Sequence, residues 1–152
     1  MSTERGYLLI VACSQRKRSD PGLLLAIERY DGVNFRVIKK AKREGRWNPN
    51  IDVLILSARY GLIREDKPIA YYDERMTRNR ALEHRDSVLA ALQLILSSIA
   101  YRKVFVNVGR EYLPSLSGWE PLLSPGTTVE YAEGGIGSKM RAMKNWIDSL
   151  SR

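Results

Sequence analysis

Ile51–Met76 reads IDVLILSARYGLIREDKPIAYYDERM, and its first half decides the fold. Val53 to Leu56 is an unbroken apolar run that stops abruptly at Ser57-Ala58-Arg59-Tyr60-Gly61. Such a run predicts a strand buried on both faces, as in the interior of a parallel sheet. Ligands of parallel sheets bind just beyond the carboxyl ends of the strands. The polar and aromatic segment after Gly61, ending in Tyr71-Tyr72-Asp73, is therefore expected near a site. Arg59 to Arg75 is expected to be a long connection with only short local order, and such loops are usually functional or disordered.

Other apolar runs end in the same way. Tyr7–Ala12 leads into Cys13-Ser14-Gln15-Arg16-Lys17, Val104–Val108 into Gly109-Arg110, and Thr128–Tyr131 into Glu133-Gly134-Gly135-Ile136-Gly137. Helical patterns lie between them. Leu23–Tyr30 is weakly helical, and a helix from about Asn34 to Gly45 has Phe35, Ile38 and Ala41 or Lys42 at helical spacing. Thr77 is a candidate N-cap for a helix to Ala100. Gly137 or Ser138 opens a last helix that buries Met140, Met143, Ile147 and Leu150. Strands alternating with helices predict a single three-layer α/β domain with a mostly parallel central sheet.

Charge and composition bound the function. The 152 residues carry 25 Lys and Arg against 17 Asp and Glu, a formal net charge of +8. That favours an anionic partner: nucleotide, nucleobase-bearing ligand or nucleic acid. The helix from Asn34 carries Arg36, Lys39, Lys40, Lys42 and Arg43, which suit either a solvated face or a nucleic-acid-facing one. With one cysteine, Cys13, and one histidine, His84, the chain cannot build a usual zinc site, and no metal or cofactor is expected. The apolar run near the N-terminus is too short for a signal peptide, and Val88–Tyr101 is too short to span a bilayer, so a cytoplasmic location without membrane contact is expected.

The candidate site residues follow from the strand ends. Cys13, Ser14, Arg16 and Lys17 follow the first strand, Ser57, Tyr60 and Gly61 the second, and Gly109 and Arg110 the third. Gly134, Gly135, Gly137 and Lys139 form a strand-to-helix turn whose backbone donors could cradle a phosphate. This turn has neither Walker A nor Rossmann spacing. Tyr60 or Tyr72 could stack on a base, and Asp73 or Glu133 could serve as the acid–base group of a hydrolysis or glycosidic cleavage. All these segments are expected to converge at one edge of the sheet, with Tyr72 and Asp73 folded over it. A non-catalytic DNA- or RNA-binding protein is the alternative.

Ser57-Ala58-Arg59-Tyr60-Gly61-Leu62, followed by Pro68, Tyr72-Asp73 and Met76, resembles the signature of the YaaA-like proteins. Cys13, Ser14 and Lys17, Tyr30-Asp31-Gly32, and the closing Gly134-Gly135-Ile136-Gly137 extend the resemblance over most of the chain. YaaA-like proteins are associated with protecting DNA from oxidative damage. Some relatives occur beside genes for deazaguanine modification, and the fold has been compared with base-excising glycosylases. The resemblance implies a pocket for a nucleobase or nucleotide.

Overall fold

The computed structural model describes the backbone of residues 3–151 and the side chains of residues 6–151. In chain order its elements are β1 (Thr3–Ala12), β2 (Leu24–Leu25), α1 (Ala26–Arg29), α2 (Val33–Arg43), β3 (Ile51–Ser57), β4 (Gly61–Arg64), β5 (Pro68–Ile69), α3 (Arg78–Ser98), β6 (Ile99–Asn107), 3-10 helices at Arg110–Leu116 and Glu120–Leu122, β7 (Thr128–Tyr131) and α4 (Ile136–Ser149).

Five strands form one sheet in the order β4-β3-β1-β6-β7. β3, β1, β6 and β7 are parallel, with Leu9 level with Val53 on one side and Phe105 on the other. β4 turns back antiparallel to β3 and closes that edge. The expected α/β sheet is present, with an antiparallel edge that the sequence pattern does not reveal. Leu8 to Val11 are fully buried, as the centre of a doubly covered sheet requires.

Alternate residues of each strand feed opposite layers. Leu9, Val11, Val53, Ile55 and Phe105 pack under α1, α2 and α4 with Phe35, Ile38, Met143 and Ile147. Leu8, Ile10, Leu54, Leu56, Val104 and Val106 pack under α3 and the first 3-10 helix with Val88, Leu92, Leu96, Leu116 and Trp119. The connection from β1 to β3 thus covers one face and that from β3 to β6 the other. Adjacent strands β1 and β6 send their chains to opposite faces, which opens a crevice between their carboxyl ends.

Several boundaries differ from the periodicity reading. Leu23–Tyr30 is a two-residue strand plus one helical turn, because β2 pairs with β5 and Arg29 turns inward. The fully buried Arg29 guanidinium donates to the carbonyls of Arg18 (2.7 Å), Asp20 (2.9 Å), Gly22 (2.8 Å) and Ile69 (3.3 Å). It ties the loop after β1 to the segment after β4. The Arg59–Arg75 connection holds the two short strands β4 and β5, in keeping with the short local order expected there. Thr77 does cap α3, its hydroxyl accepting from the Arg80 N–H at 3.1 Å. That helix ends at Ser98 and runs without a loop into β6. Among the described residues no helix is long and apolar enough to cross a membrane.

Candidate functional site

The crevice between β1 and β6 is a cavity of about 560 Å³, within the range of small-molecule sites. Its walls are Cys13–Arg16 after β1, Gly32–Phe35 opening α2, Gly109–Tyr112 after β6, and Gly134–Ile136 with Lys139 opening α4. The strand order makes this arrangement. β1 and β6 are neighbours, and α2 and α4 both pack on the same face of the sheet, so both helices start at the crevice.

Two helix N-termini therefore face one cavity. Gly32 and Gly135 are the N-cap residues of α2 and α4, and neither helix has a side-chain cap. The first intrahelical bonds are Arg36 N–H to Gly32 and Lys139 N–H to Gly135. The N–H groups of residues 33–35 and 136–138 precede them, so each helix presents unmet donors and the positive end of its dipole. Asn34 Oδ1 is buried at the rim without a hydrogen-bond partner. Arg110 and Lys139 add positive charge, with Arg16 beside them already 3.6 Å from Asp31, against one lining carboxylate, Glu111. Lys139 is held in place by donating to the Val108 carbonyl at 3.0 Å. Such a site favours an anion, and a phosphate group matches its donors.

A second cavity of about 200 Å³ shares the wall Cys13–Gln15 and Glu111–Tyr112, and is closed by Glu74, Arg75 and Met76. Cys13 and Tyr112 stand in the partition, Sγ and hydroxyl 3.3 Å apart. Burial and then the neighbouring Cys13 push the Tyr112 phenol well above its usual range, so it is a neutral hydroxyl. Cys13 Sγ also accepts the Ala58 N–H at 3.4 Å, tying β1 to the turn after β3. Cys13 and Ser14 touch both cavities.

The structure divides the residues singled out from sequence. Cys13, Ser14, Arg16, Gly109, Arg110, Gly134, Gly135 and Lys139 line the crevice together. Ser57, Tyr72 and Lys17 form a different cluster. Tyr30 and Tyr72 hydroxyls lie 2.6 Å apart and both reach Ser57 Oγ, at 3.1 and 3.0 Å. Ser57 Oγ also accepts the N–H groups of Arg59 and Tyr60. Lys17 Nζ sits 4.4 Å from the centre of the Tyr72 ring. Its burial lowers its pKa, against the opposing influence of Cys13 and Asp73. Tyr72 is 4% exposed, so it does not fold over the edge to meet a base; it folds under it. The reason is that β4 reverses the chain and carries the following segment back against Tyr30. Tyr60 remains at the surface, edge-on to Tyr72. Gly61 is a turn residue, with a φ of 74° that favours glycine.

Asp73, Glu133 and Gly137 are exposed and outside both cavities. The carboxylate that does face both is Glu111. His84 is structural, donating from Nε2 to the Ala58 carbonyl at 2.8 Å, beside Arg80 Nε at 3.0 Å. The basic face of α2 is partly neutralised within the chain. Arg36 and Lys39 pair with Asp31 at 3.2 and 3.6 Å, and Lys42 pairs with Glu65 at 2.5 Å. Sequence reasoning missed Gly32, Asn34, Glu111 and Tyr112. The signals that mark them are a glycine just before an amphipathic pattern and a polar run continuing past Gly109.

The family model described as "Family of unknown function (DUF6884)" matches residues 8–145, so the chain belongs to that family. That span includes every wall of the crevice. No curated protein matches the sequence. The fold is similar to the crystal structure of AF0587, a protein of unknown function, with a TM-score of 0.55 and 15% identity. The likeness covers 93% of this chain and 44% of that one, so the chain spans less than half the length of AF0587.

Proposed function

For this member of the DUF6884 family, we propose that the crevice binds a nucleotide, with its phosphate at the starts of α2 and α4. The observation that carries the reading is the convergence of two uncapped helix N-termini with Arg16, Arg110 and Lys139 on one cavity. The cavity's volume suits a phosphorylated nucleoside better than a lone anion. The resemblance of the Ser57–Met76 block to YaaA-like proteins supports the same direction. If the protein cleaves a base or an N-glycosidic bond, Glu111 is the carboxylate placed to activate water, rather than Asp73 or Glu133. Duplex binding through α2 is the weaker reading, because Arg36, Lys39 and Lys42 already hold internal partners and only Lys40 and Arg43 of its basic residues are left in no salt bridge among the described residues.

A thermal-shift series with bases, nucleosides and nucleoside 5′-monophosphates tests this. Selective binding to the folded state at about 100 times Kd adds about 2.7 kcal/mol of stability. Nucleotides should raise Tm, and inorganic phosphate should compete with them. Nucleosides at equal concentration should have little effect. Equal shifts for nucleoside and nucleotide, or no shift with any ligand, would sink the proposal.

A further inference from the structure

Arg110 stands at the junction of the crevice and an open groove of about 630 Å³. One wall of that groove is α3, contributing Arg78, Leu82 and Arg85, which are spaced to share one face of the helix. The other is the first 3-10 helix, with Leu113 and the following turn at Ser117. Leu82 is 48% exposed and Leu113 42% exposed.

The charges here differ from those on α2. Arg80, two residues from Arg78 and so on another face of α3, is paired with Glu74 and Glu83. Arg78, Arg85 and Arg110 are in no salt bridge among the described residues. Arg85 is nonetheless fixed, donating from Nε to the Ser117 carbonyl at 3.1 Å. At 1.5 Å of rise per residue, Arg78 and Arg85 stand about 10 Å apart along the helix. Unpaired guanidiniums alternating with apolar side chains, and leading to an anion-binding cavity, match a chain of phosphates carrying apolar faces.

We propose that the ligand is the 5′-phosphorylated end of a single-stranded nucleic acid. Its terminal nucleotide occupies the crevice, and its strand passes Arg110 into the Arg78–Arg85 groove. This rests on the nucleotide reading of the crevice and extends it from a monomer to a polymer.

The test compares a nucleoside 5′-monophosphate with a 5′-phosphorylated deoxythymidine decamer, by calorimetry and by fluorescence anisotropy at several salt concentrations. The decamer should bind at least tenfold more tightly. In Arg78→Ala/Arg85→Ala that gain should vanish while mononucleotide affinity stays unchanged. The slope of log Kobs against log salt should shrink by about 1.4, at about 0.7 for each phosphate no longer neutralised. Arg78→Glu alone, at an exposed position, serves if the double variant does not fold. Mononucleotide binding without any gain from the decamer overturns the groove and spares the crevice. A gain that survives the substitutions also overturns the groove. Absence of binding by either ligand overturns both. Displacement of the decamer by an equal concentration of a poly-glutamate peptide, with the same arginine dependence, assigns the groove to an acidic peptide instead.

Discussion

The Ser57–Tyr30–Tyr72 cluster and the β1/β6 crevice lie at the same end of one sheet and are built on opposite principles. In the cluster every hydroxyl has a partner, and both phenols are buried. In the crevice, backbone donors at two helix starts and one amide oxygen are left unmet. The first arrangement is what a fold does with polar groups it must bury. The second leaves polar groups open, as the proposed nucleotide site would need. The most distinctive part of the sequence, Ser57 to Tyr72, thus serves chiefly as a lock. The less distinctive ends of β1, β6 and β7, the last two bearing glycines, line the crevice.

The largest separation between the regions should come from Tyr30→Ala. Tyr30 is fully buried, stacked on Phe35 and bonded to both cluster hydroxyls. Truncating a buried aromatic costs about 3–5 kcal/mol, or roughly 6–20 °C in Tm for a chain of this size. Tyr30→Phe keeps the volume and should cost about 1–3 kcal/mol through the hydroxyls it strands. Nucleotide affinity of Tyr30→Phe should match the parent. Denaturant melts paired with calorimetry check both, and a large drop in affinity in Tyr30→Phe would merge the two regions into one.

Alkaline titration separates them next. Burial is the first cause that raises the Tyr30 and Tyr72 phenols far above their usual value of 10.0. Tyr131 is pushed up to about 12 by burial and by its bond with Glu120. A raised acid means that the folded state holds protons the unfolded state releases. Stability is therefore full below pH 10 and falls as pH rises above it. Lys17 acts oppositely: its lowered value means that its burial penalty fades as pH climbs toward 10.5. Tyr72→Phe should flatten the alkaline fall in a pH series of denaturant melts. An unchanged slope would mean that the cluster is not closed to water.

How much of this was legible depends on the range of the interactions. The parallel strands and the Thr77 cap are local patterns, and the structure has them; β7 keeps the expected bounds, β1 and β3 extend beyond theirs, and β6 runs from Ile99 to Asn107 rather than from Val104 to Val108. β4 is four residues long, too short for alternation to mark it against its loop. Tyr30 and Tyr72 meet across 42 positions, so no window on the chain shows that Tyr72 is buried. Arg29 was hidden for the same reason, because its carbonyl partners come from the loop after β1 and from β5, 40 positions away. The crevice was half legible: strand order brings the ends of β1 and β6 together, and the strand-end rule anticipates that. The start of α2 joins them only because the crossover to β3 packs on the same face as α4.

Within the crevice, Lys139→Ala should weaken nucleotide binding and leave stability nearly unchanged. A hydrogen bond to a charged group is worth about 1.5–3 kcal/mol, roughly tenfold or more in Kd. Lys139 is only partly buried, and the helix it sits on is anchored by Met143 and Ile147. Calorimetry with a nucleoside monophosphate reads the first effect and a denaturant melt the second. A fall in Tm as large as that of Tyr30→Ala would make Lys139 part of the lock.

The smallest expected effects distinguish the carboxylates. Asp73 and Glu133 are exposed and outside both cavities. Asp73→Asn and Glu133→Gln should therefore change nucleotide affinity by less than about twofold, since an exposed charge in water at such a distance is largely screened. Glu111 faces the cavity beside the positive groups that would hold a phosphate. Glu111→Gln removes a repelling charge and should tighten binding by about two- to threefold, within the range of a single partly screened pair. If the protein turns its ligand over, the same substitution should abolish the turnover that Asp73→Asn and Glu133→Gln preserve. Affinity and turnover measured on the three variants give one ordering if Glu111 faces the ligand. The reverse ordering, with Asp73→Asn the damaging change, would place the chemistry on the surface near Lys17 and return the signature block to the centre of the function.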